Sequence, residues 1–241
     1  MKIKGKDFEI NLIKKPKENS IIIEGFPGLG FVSSIVTNYL IHHLPAKFVG
    51  YISTKKLAPL VTIHQTKIIY PIEIFYNEDY NIIIIQSSTL IEGVEYDIAE
   101  IILEFAKAIK AKEIITIEAV VSTKPEEKIF FFTNNKKKEK ILKEKGFEEI
   151  KEGIIVGVTG ALLIESEKFP LIGLFVETNP EIIDNRASAK IIEALDKYIG
   201  LKIDYAPLLK KAEEIEEKIK NLIEKIIETK KEKEKRISYA G

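Results

Sequence analysis

Two glycines, Gly28 and Gly30, stand in the run Ile21-Ile22-Ile23-Glu24-Gly25-Phe26-Pro27-Gly28-Leu29-Gly30-Phe31-Val32-Ser33, between an Ile-rich segment and an apolar stretch of helical period. The spacing fits G-x-G-x-x-small. In that pattern a backbone without β-carbons approaches a pyrophosphate, and the next helix offers unpaired N–H groups and the positive end of its dipole. A phosphate held there would make the protein a nucleotide- or nucleoside-binding enzyme using the Gly25–Ser33 loop. Two features oppose that chemistry. Pro27 removes one N–H from the loop. The acid expected about 20 residues on, to take the ribose hydroxyls, is missing. The matching stretch, Phe48 to Lys56, has no carboxylate, and its Ser53, Lys55 and Lys56 would suit only a 2′-phosphate. No Lys-Ser/Thr pair follows the glycines, so there is no Walker signature. The competing reading is a tight turn that seats a helix close to a sheet.

Other reactive residues are sparse. The chain has no Cys, which excludes a thiolate nucleophile, a disulfide and a Cys-based zinc or iron–sulfur site. Of the three histidines, His42 and His43 are adjacent and diverge on a helix, so they cannot share a metal at i, i+4 spacing. They are expected to end that helix and face its negative pole, and His64 has no partner in the sequence. Glu177 and Asp184, and Glu92, Glu95 and Asp97, follow strand-like segments, where open α/β sheets collect ligands. Carboxylates in such places also cap helices, and Asp97 is read that way. No triad assembles around Ser33 or Ser34. The expectation is therefore no catalytic residue, no metal and no cofactor.

The elements that position the loop follow from apolar period. Residues 20–24 read as a buried strand and 31–44 as a helix stopped by Pro45. Strand-like segments follow at 47–53, 60–64 and 68–76. Residues 80–86 contain Ile82-Ile83-Ile84-Ile85, a run without alternation that predicts a strand covered on both faces. An amphipathic helix is expected over 94–110, a buried strand over 114–121 and a short aromatic strand over 129–133. Asn134 and Asn135 are placed to cap a Lys-rich helix over 136–145 that Gly146 ends. A strand is read over 154–158, turning through Gly157 and Gly160 into a helix over 160–167. That turn echoes the Gly28-Leu29-Gly30 turn. A last central strand over 171–177 and a helix over 187–199, closed by Gly200, complete the pattern. Strands alternating with helices predict an α/β fold with a mixed, largely parallel central sheet flanked by helices.

From Asp204 the character changes. Leu208, Ala212, Ile215, Ile219, Leu222 and Ile226 recur at spacings of 4, 3, 4, 3 and 4 among Lys and Glu. That is a heptad seam, for packing on its own domain or between subunits. Three units are expected: an α/β core over 1–203, a charged amphipathic helix over 204–232 and a flexible tail over 233–241. The tail ends Ile237-Ser238-Tyr239-Ala240-Gly241, an apolar tip on a polar segment that reads as a linear ligand for another protein.

Lys+Arg and Asp+Glu both number 37, so no bulk charge draws the chain to nucleic acid. No apolar run reaches the roughly 18 to 20 residues of a membrane span, and the first residues lack the apolar core of a signal peptide. A cytoplasmic protein is expected. High Lys and Glu with no Cys and one Met suggest a thermophilic source.

The segment Glu24-Gly25-Phe26-Pro27-Gly28-Leu29-Gly30-Phe31-Val32, with Asn38-Tyr39-Leu40 after it, resembles the start of the PAC2 family, named for a proteasome assembly chaperone. The resemblance continues through Gly157-Val158-Thr159-Gly160-Ala161, Leu174 to Thr178, Asp184, Arg186-Ala187, Ile203-Asp204 and Leu208-Leu209, covering about residues 18 to 227. It implies a nucleoside-phosphorylase-like fold without the catalytic constellation. It also implies a homo-oligomeric, archaeal-type chaperone homologue whose partners are proteasome α-subunits or the 20S core particle. Such partners dock a C-terminal hydrophobic-Tyr-X tail, and here Tyr239 departs from that pattern by standing third from the end.

Overall fold

A computed structural model describes residues 1–57, 61–64, 66–121, 128–178 and 183–214. Most of the chain forms one ten-stranded sheet with helices on both faces. In chain order the strands are β1 (Lys2–Lys4), β2 (Phe8–Leu12), β3 (Ile21–Gly25), β4 (Lys47–Thr54), β5 (Thr62–His64), β6 (Lys67–Ile69), β7 (Ile72–Asn77), β8 (Ile82–Ser87), β9 (Glu113–Val121), β10 (Ile129–Thr133), β11 (Glu148–Glu149) and β12 (Leu171–Thr178). The helices are α1 (Val32–His43), α2 (Glu95–Ala108), α3 (Lys136–Glu144), α4 (Gly157–Ile164), α5 (Asn185–Ile199) and α6 (residues 206–214). The sheet order is β1-β2-β4-β7-β8-β3-β9-β12-β10-β11, with β5 and β6 as a separate hairpin. Its centre, β8-β3-β9-β12, is parallel, and antiparallel strands extend it on both sides.

The Ile-only runs explain the sandwich. Ile21, Ile23, Ile82 and Ile84 join one core with α1, α5 and Leu208 of α6, whereas Ile22, Ile83 and Ile85 join the other with α2 and α4. Successive side chains point to opposite faces of a strand, so a strand buried on both faces needs apolar residues throughout.

Helix ends follow local chemistry. The Asn135 side chain accepts hydrogen bonds from the backbone N–H groups of Lys137 (3.0 Å) and Lys138 (3.3 Å), capping α3. Gly146 follows α3 at φ +86° and Gly200 follows α5 at φ +82°, the left-handed conformation that ends helices. His42 and His43 do end α1, each ring Nδ1 lying 2.8 and 2.9 Å from the carbonyl four residues back.

Four expectations need correction. No strand forms over 154–158. Both edges of β12 are occupied, by β9 and β10, and Ile154 (88% exposed) and Val156 (61%) stand in solvent before α4 begins at Gly157. The expected strand over 68–76 is broken at Pro71, which separates β6 from β7. Asp97 does not cap α2. It lies in the first turn and pairs with Lys56 at 2.8 Å. β1 and β2, which extend the sheet at one edge, were not anticipated, although Phe8, Ile10 and Leu12 alternate with Glu9 and Asn11.

Candidate functional site

The Gly25–Phe31 segment leaves the carboxyl end of β3, at the centre of the sheet, and enters α1 through a 3-10 turn over Leu29–Phe31. It separates two polar regions, one on each face of the sheet.

Beneath it, on the α4 side, lie two buried carboxylates. Glu24 is fully buried near the end of β3 and Glu118 is 7% exposed on β9. The Glu24 carboxylate accepts from the Phe26 backbone N–H (3.2 Å), the Thr159 hydroxyl (3.3 Å) and the Thr116 hydroxyl. Thr116 and Thr159 are themselves 2.7 Å apart. Glu118 accepts from the backbone N–H groups of Ala119 (2.9 Å) and Leu29. Burial raises the pKa of each carboxyl to about 7, and for Glu118 the charge of Glu24 adds to the rise.

Gly28 is fixed by this arrangement. A β-carbon there would lie 2.3 Å from one Glu118 oxygen and 2.7 Å from the other. The glycine does permit a close approach, but to a carboxylate of the chain itself. Two loop N–H donors, those of Phe26 and Leu29, are already bonded to Glu24 and Glu118, and an incoming phosphate would meet two acids. Gly25 has a second packing role, since a β-carbon would lie 2.6 Å from the Thr37 methyl and 2.9 Å from the Ser33 carbonyl oxygen.

Above the loop, on the α1 side, opens a cleft of about 480 Å³ at the carboxyl ends of β3 and β8. Phe31, just before α1, and Ser34, Ile35, Asn38 and Tyr39 of α1 line it, the last four as one stripe since residues three and four apart share a helix face. Gln86 at the end of β8, Asn185 at the start of α5, and Leu208 and Lys211 of α6 complete the rim. The Tyr39 hydroxyl donates to the Asp204 carbonyl at 2.5 Å, tying the segment that leads into α6 to α1. Phe31 holds φ +54°, ψ +20° and is 53% exposed. A bulky residue in the left-handed region is strained by about 1–2 kcal/mol, and its ring projects at the cleft mouth.

A model of the PAC2 family matches residues 22–223. The chain belongs to the PAC2 family. Among solved structures, this PAC2 protein is similar to Pyrococcus furiosus PbaA, an archaeal homolog of proteasome-assembly chaperone. The TM-score is 0.81 with 28% identity over 94% of this chain and 97% of that one. P. furiosus PbaB, an archaeal proteasome activator, shares the fold at TM-score 0.79 and 24% identity, covering 90% of this chain and 99% of that one. The uncharacterized protein MJ0106 of Methanocaldococcus jannaschii is 33% identical over 212 residues, 86% of this chain and 87% of that protein.

The family-motif residues fall into separate places. Gly25, Phe26, Pro27, Gly28 and Gly30 form the loop, with Gly30 at φ +58°. Gly157 (φ +70°) opens α4, and a β-carbon on Gly160 would lie 2.7 Å from the Ile155 carbonyl oxygen. Glycines 157 and 160 therefore set α4 against the chain before it, and α4 delivers Thr159 to Glu24. Asp184 caps α5, accepting from the Ala187 N–H (2.8 Å) and the Thr178 hydroxyl (2.7 Å), and it does not line the cleft. Ile237, Tyr239, Ala240 and Gly241, and the heptad positions from Ile215 on, lie outside the described residues. Among the described residues no three acidic or His side chains gather as a metal site, and no helix is long and apolar enough to cross a membrane. Glu24, Thr116, Glu118 and Thr159 were missed by sequence reasoning. The signal was present as single acids inside the apolar runs Ile21–Glu24 and Ile114–Val121.

Proposed function

We propose that this PAC2 protein is a non-enzymatic proteasome-assembly chaperone homologue. It binds proteasome α-subunits and the 20S core particle as a homo-oligomer in the cytoplasm. The core over 1–203 supplies the scaffold, the helix over 204–232 contributes to subunit contact, and the tail over 233–241 engages the partner through Ile237, Tyr239, Ala240 and Gly241. The observation that carries this reading is the likeness to PbaA across 94% of the chain. The loop supports it, because the seat that a phosphate would need is filled by the carboxylate of Glu118. Burying Ile237 and Tyr239 would contribute a few kcal/mol by area, and several tails on one oligomer would add avidity.

Native mass spectrometry of the protein, alone and mixed with archaeal proteasome α-subunits, tests both halves. The expected result is a homo-oligomer alone and a larger assembly in the mixture. A chain that stays monomeric removes the oligomer, and one that never associates with α-subunits or core particle removes the proteasome reading. Deleting residues 237–241 is expected to weaken co-elution with the core particle, whereas unchanged co-elution removes the tail.

A further inference from the structure

The cleft beside α1 contains polar side chains that the fold does not use. The Ser34 hydroxyl oxygen is buried without a hydrogen-bond partner. Asn185 is 9% exposed, and its amide makes no hydrogen bond among the described residues. The amides of Asn38 and Gln86 are likewise unbonded there and face the same cleft. Folded proteins pair nearly all buried polar groups, so the buried Ser34 hydroxyl, beside the nearly buried Asn185 and flanked by the more exposed amides of Asn38 and Gln86, calls for a partner not found among the described residues. Their position agrees, because open α/β sheets hold ligands beyond the carboxyl ends of their central strands. The volume, about 480 Å³, falls within the range of small-molecule sites.

The chemistry of the lining narrows the ligand. Each amide presents a donor beside an acceptor, and the complementary surface is a planar edge with adjacent acceptor and donor. Asn and Gln pair in this way with nucleobases, and aromatic rings such as Phe31 stack on them. A sugar lacks the flat apolar body that would face Phe31, Ile35 and Leu208. A phosphate or other strong anion would find one cation, Lys211, among the described residues lining the cleft, and the Leu29 N–H of the loop is already held by Glu118. We infer that the cleft of Phe31, Ser34, Asn38, Gln86 and Asn185 is a binding site for an uncharged nucleoside, a ligand it binds without chemistry. Among the described lining residues no His, Asp or Glu stands beside the serine hydroxyls to activate them, so occupancy acts as a signal or a brace between α1, α5 and α6. The site stands whether or not the chain engages the proteasome.

Isothermal titration of the full-length protein with adenosine, guanosine, uridine and cytidine tests it. At least one is expected to bind with a Kd tighter than about 100 μM. Its monophosphate is expected to bind no tighter. Asn185→Ala and Gln86→Ala, checked for folding by circular dichroism, are each expected to weaken it about tenfold. Co-elution with the core particle, measured without nucleoside, reports separately on the proteasome reading. No saturable heat with any of the four at about 1 mM overturns the site. Binding that neither variant weakens, or a monophosphate that binds tenfold tighter, overturns it as well.

Discussion

The two sides of the Gly25–Phe31 loop hold polar groups of similar number and opposite condition. Beneath it, Glu24 and Glu118 are buried and bonded, by Thr116, Thr159 and three backbone N–H groups. Above it, Ser34, Asn38, Gln86 and Asn185 have no side-chain hydrogen-bond partner among the described residues. A polar group that the fold satisfies is part of what holds the fold, and its removal costs stability. A buried polar group left idle, as the Ser34 hydroxyl is, costs stability by its presence, and an exposed amide such as Asn38 costs little either way. The comparison therefore predicts large stability effects below the loop and small ones above it.

The largest effect is expected at the loop itself. In Gly25→Ala the new β-carbon meets the Ser33 carbonyl oxygen at 2.9 Å and the Thr37 methyl at 2.6 Å. The backbone of α1 must move away from β3, at a cost of about 3 kcal/mol. In a chain of this size that lowers Tm by on the order of 10 °C. A Tm within about 2 °C of wild type would mean that α1 is not pressed against β3 as described.

Next comes the charge state of the lower side. Burial raises both carboxyls to about 7 from the usual carboxylate range. Between those values the folded chain holds protons that the unfolded chain has lost. Stability is then present in full below the unfolded pKa and falls as pH rises through about 7. Carboxyls held low by lysines, such as Glu139 beside Lys143 and Glu193 beside Lys197, act below that window and leave its slope alone. Thermal melts from pH 5 to pH 8 should show a decline in stability of about 2 kcal/mol for each of the two carboxyls. Glu118→Gln should flatten the decline and make the variant the more stable protein at pH 8. A melting temperature that rises through neutrality would break the assignment of the pair as buried and mutually repelling.

A smaller loss is expected at the donors. Thr116→Val keeps the shape of the side chain and removes a hydroxyl that serves Glu24 and meets Thr159. The cost is about 1.5 kcal/mol, because a buried carboxyl loses a partner. Urea unfolding should report a lower midpoint with an unchanged slope.

Legibility in the sequence follows the same division. The central strands were readable because Ile21–Ile23 and Ile82–Ile85 are uninterrupted, which only a strand covered on both faces requires. Asn135 and Gly200 were readable because caps are local. The segment 154–158 was misread because a β-branched run becomes a strand only where a partner strand lies alongside, and here Ile154 and Val156 stand in solvent just before α4. The loop was half readable. Its glycines announced a close approach, but what approaches is Glu118, 90 residues away in sequence and brought there by the pairing of β3 with β9. The upper cleft could not be read at all. Ser34, Asn38, Gln86 and Asn185 come from three elements, and nothing local distinguishes them from ordinary surface amides.

The smallest effect is expected on that upper side. Ser34→Ala removes a buried hydroxyl that bonds to nothing among the described residues, so its loss relieves a desolvation cost instead of breaking a contact. Asn38→Ala removes an exposed amide with no partner. Each should change stability by no more than about 0.5 kcal/mol, and Ser34→Ala should be neutral or stabilising. A loss of about 2 kcal/mol in Ser34→Ala, read as a shifted urea midpoint, would show that the hydroxyl is bonded within the fold. The contrast across the loop would then collapse, because both sides would be structural. If both variants keep wild-type stability, the idle groups are held in place by their elements alone, and the fold tolerates them without needing them.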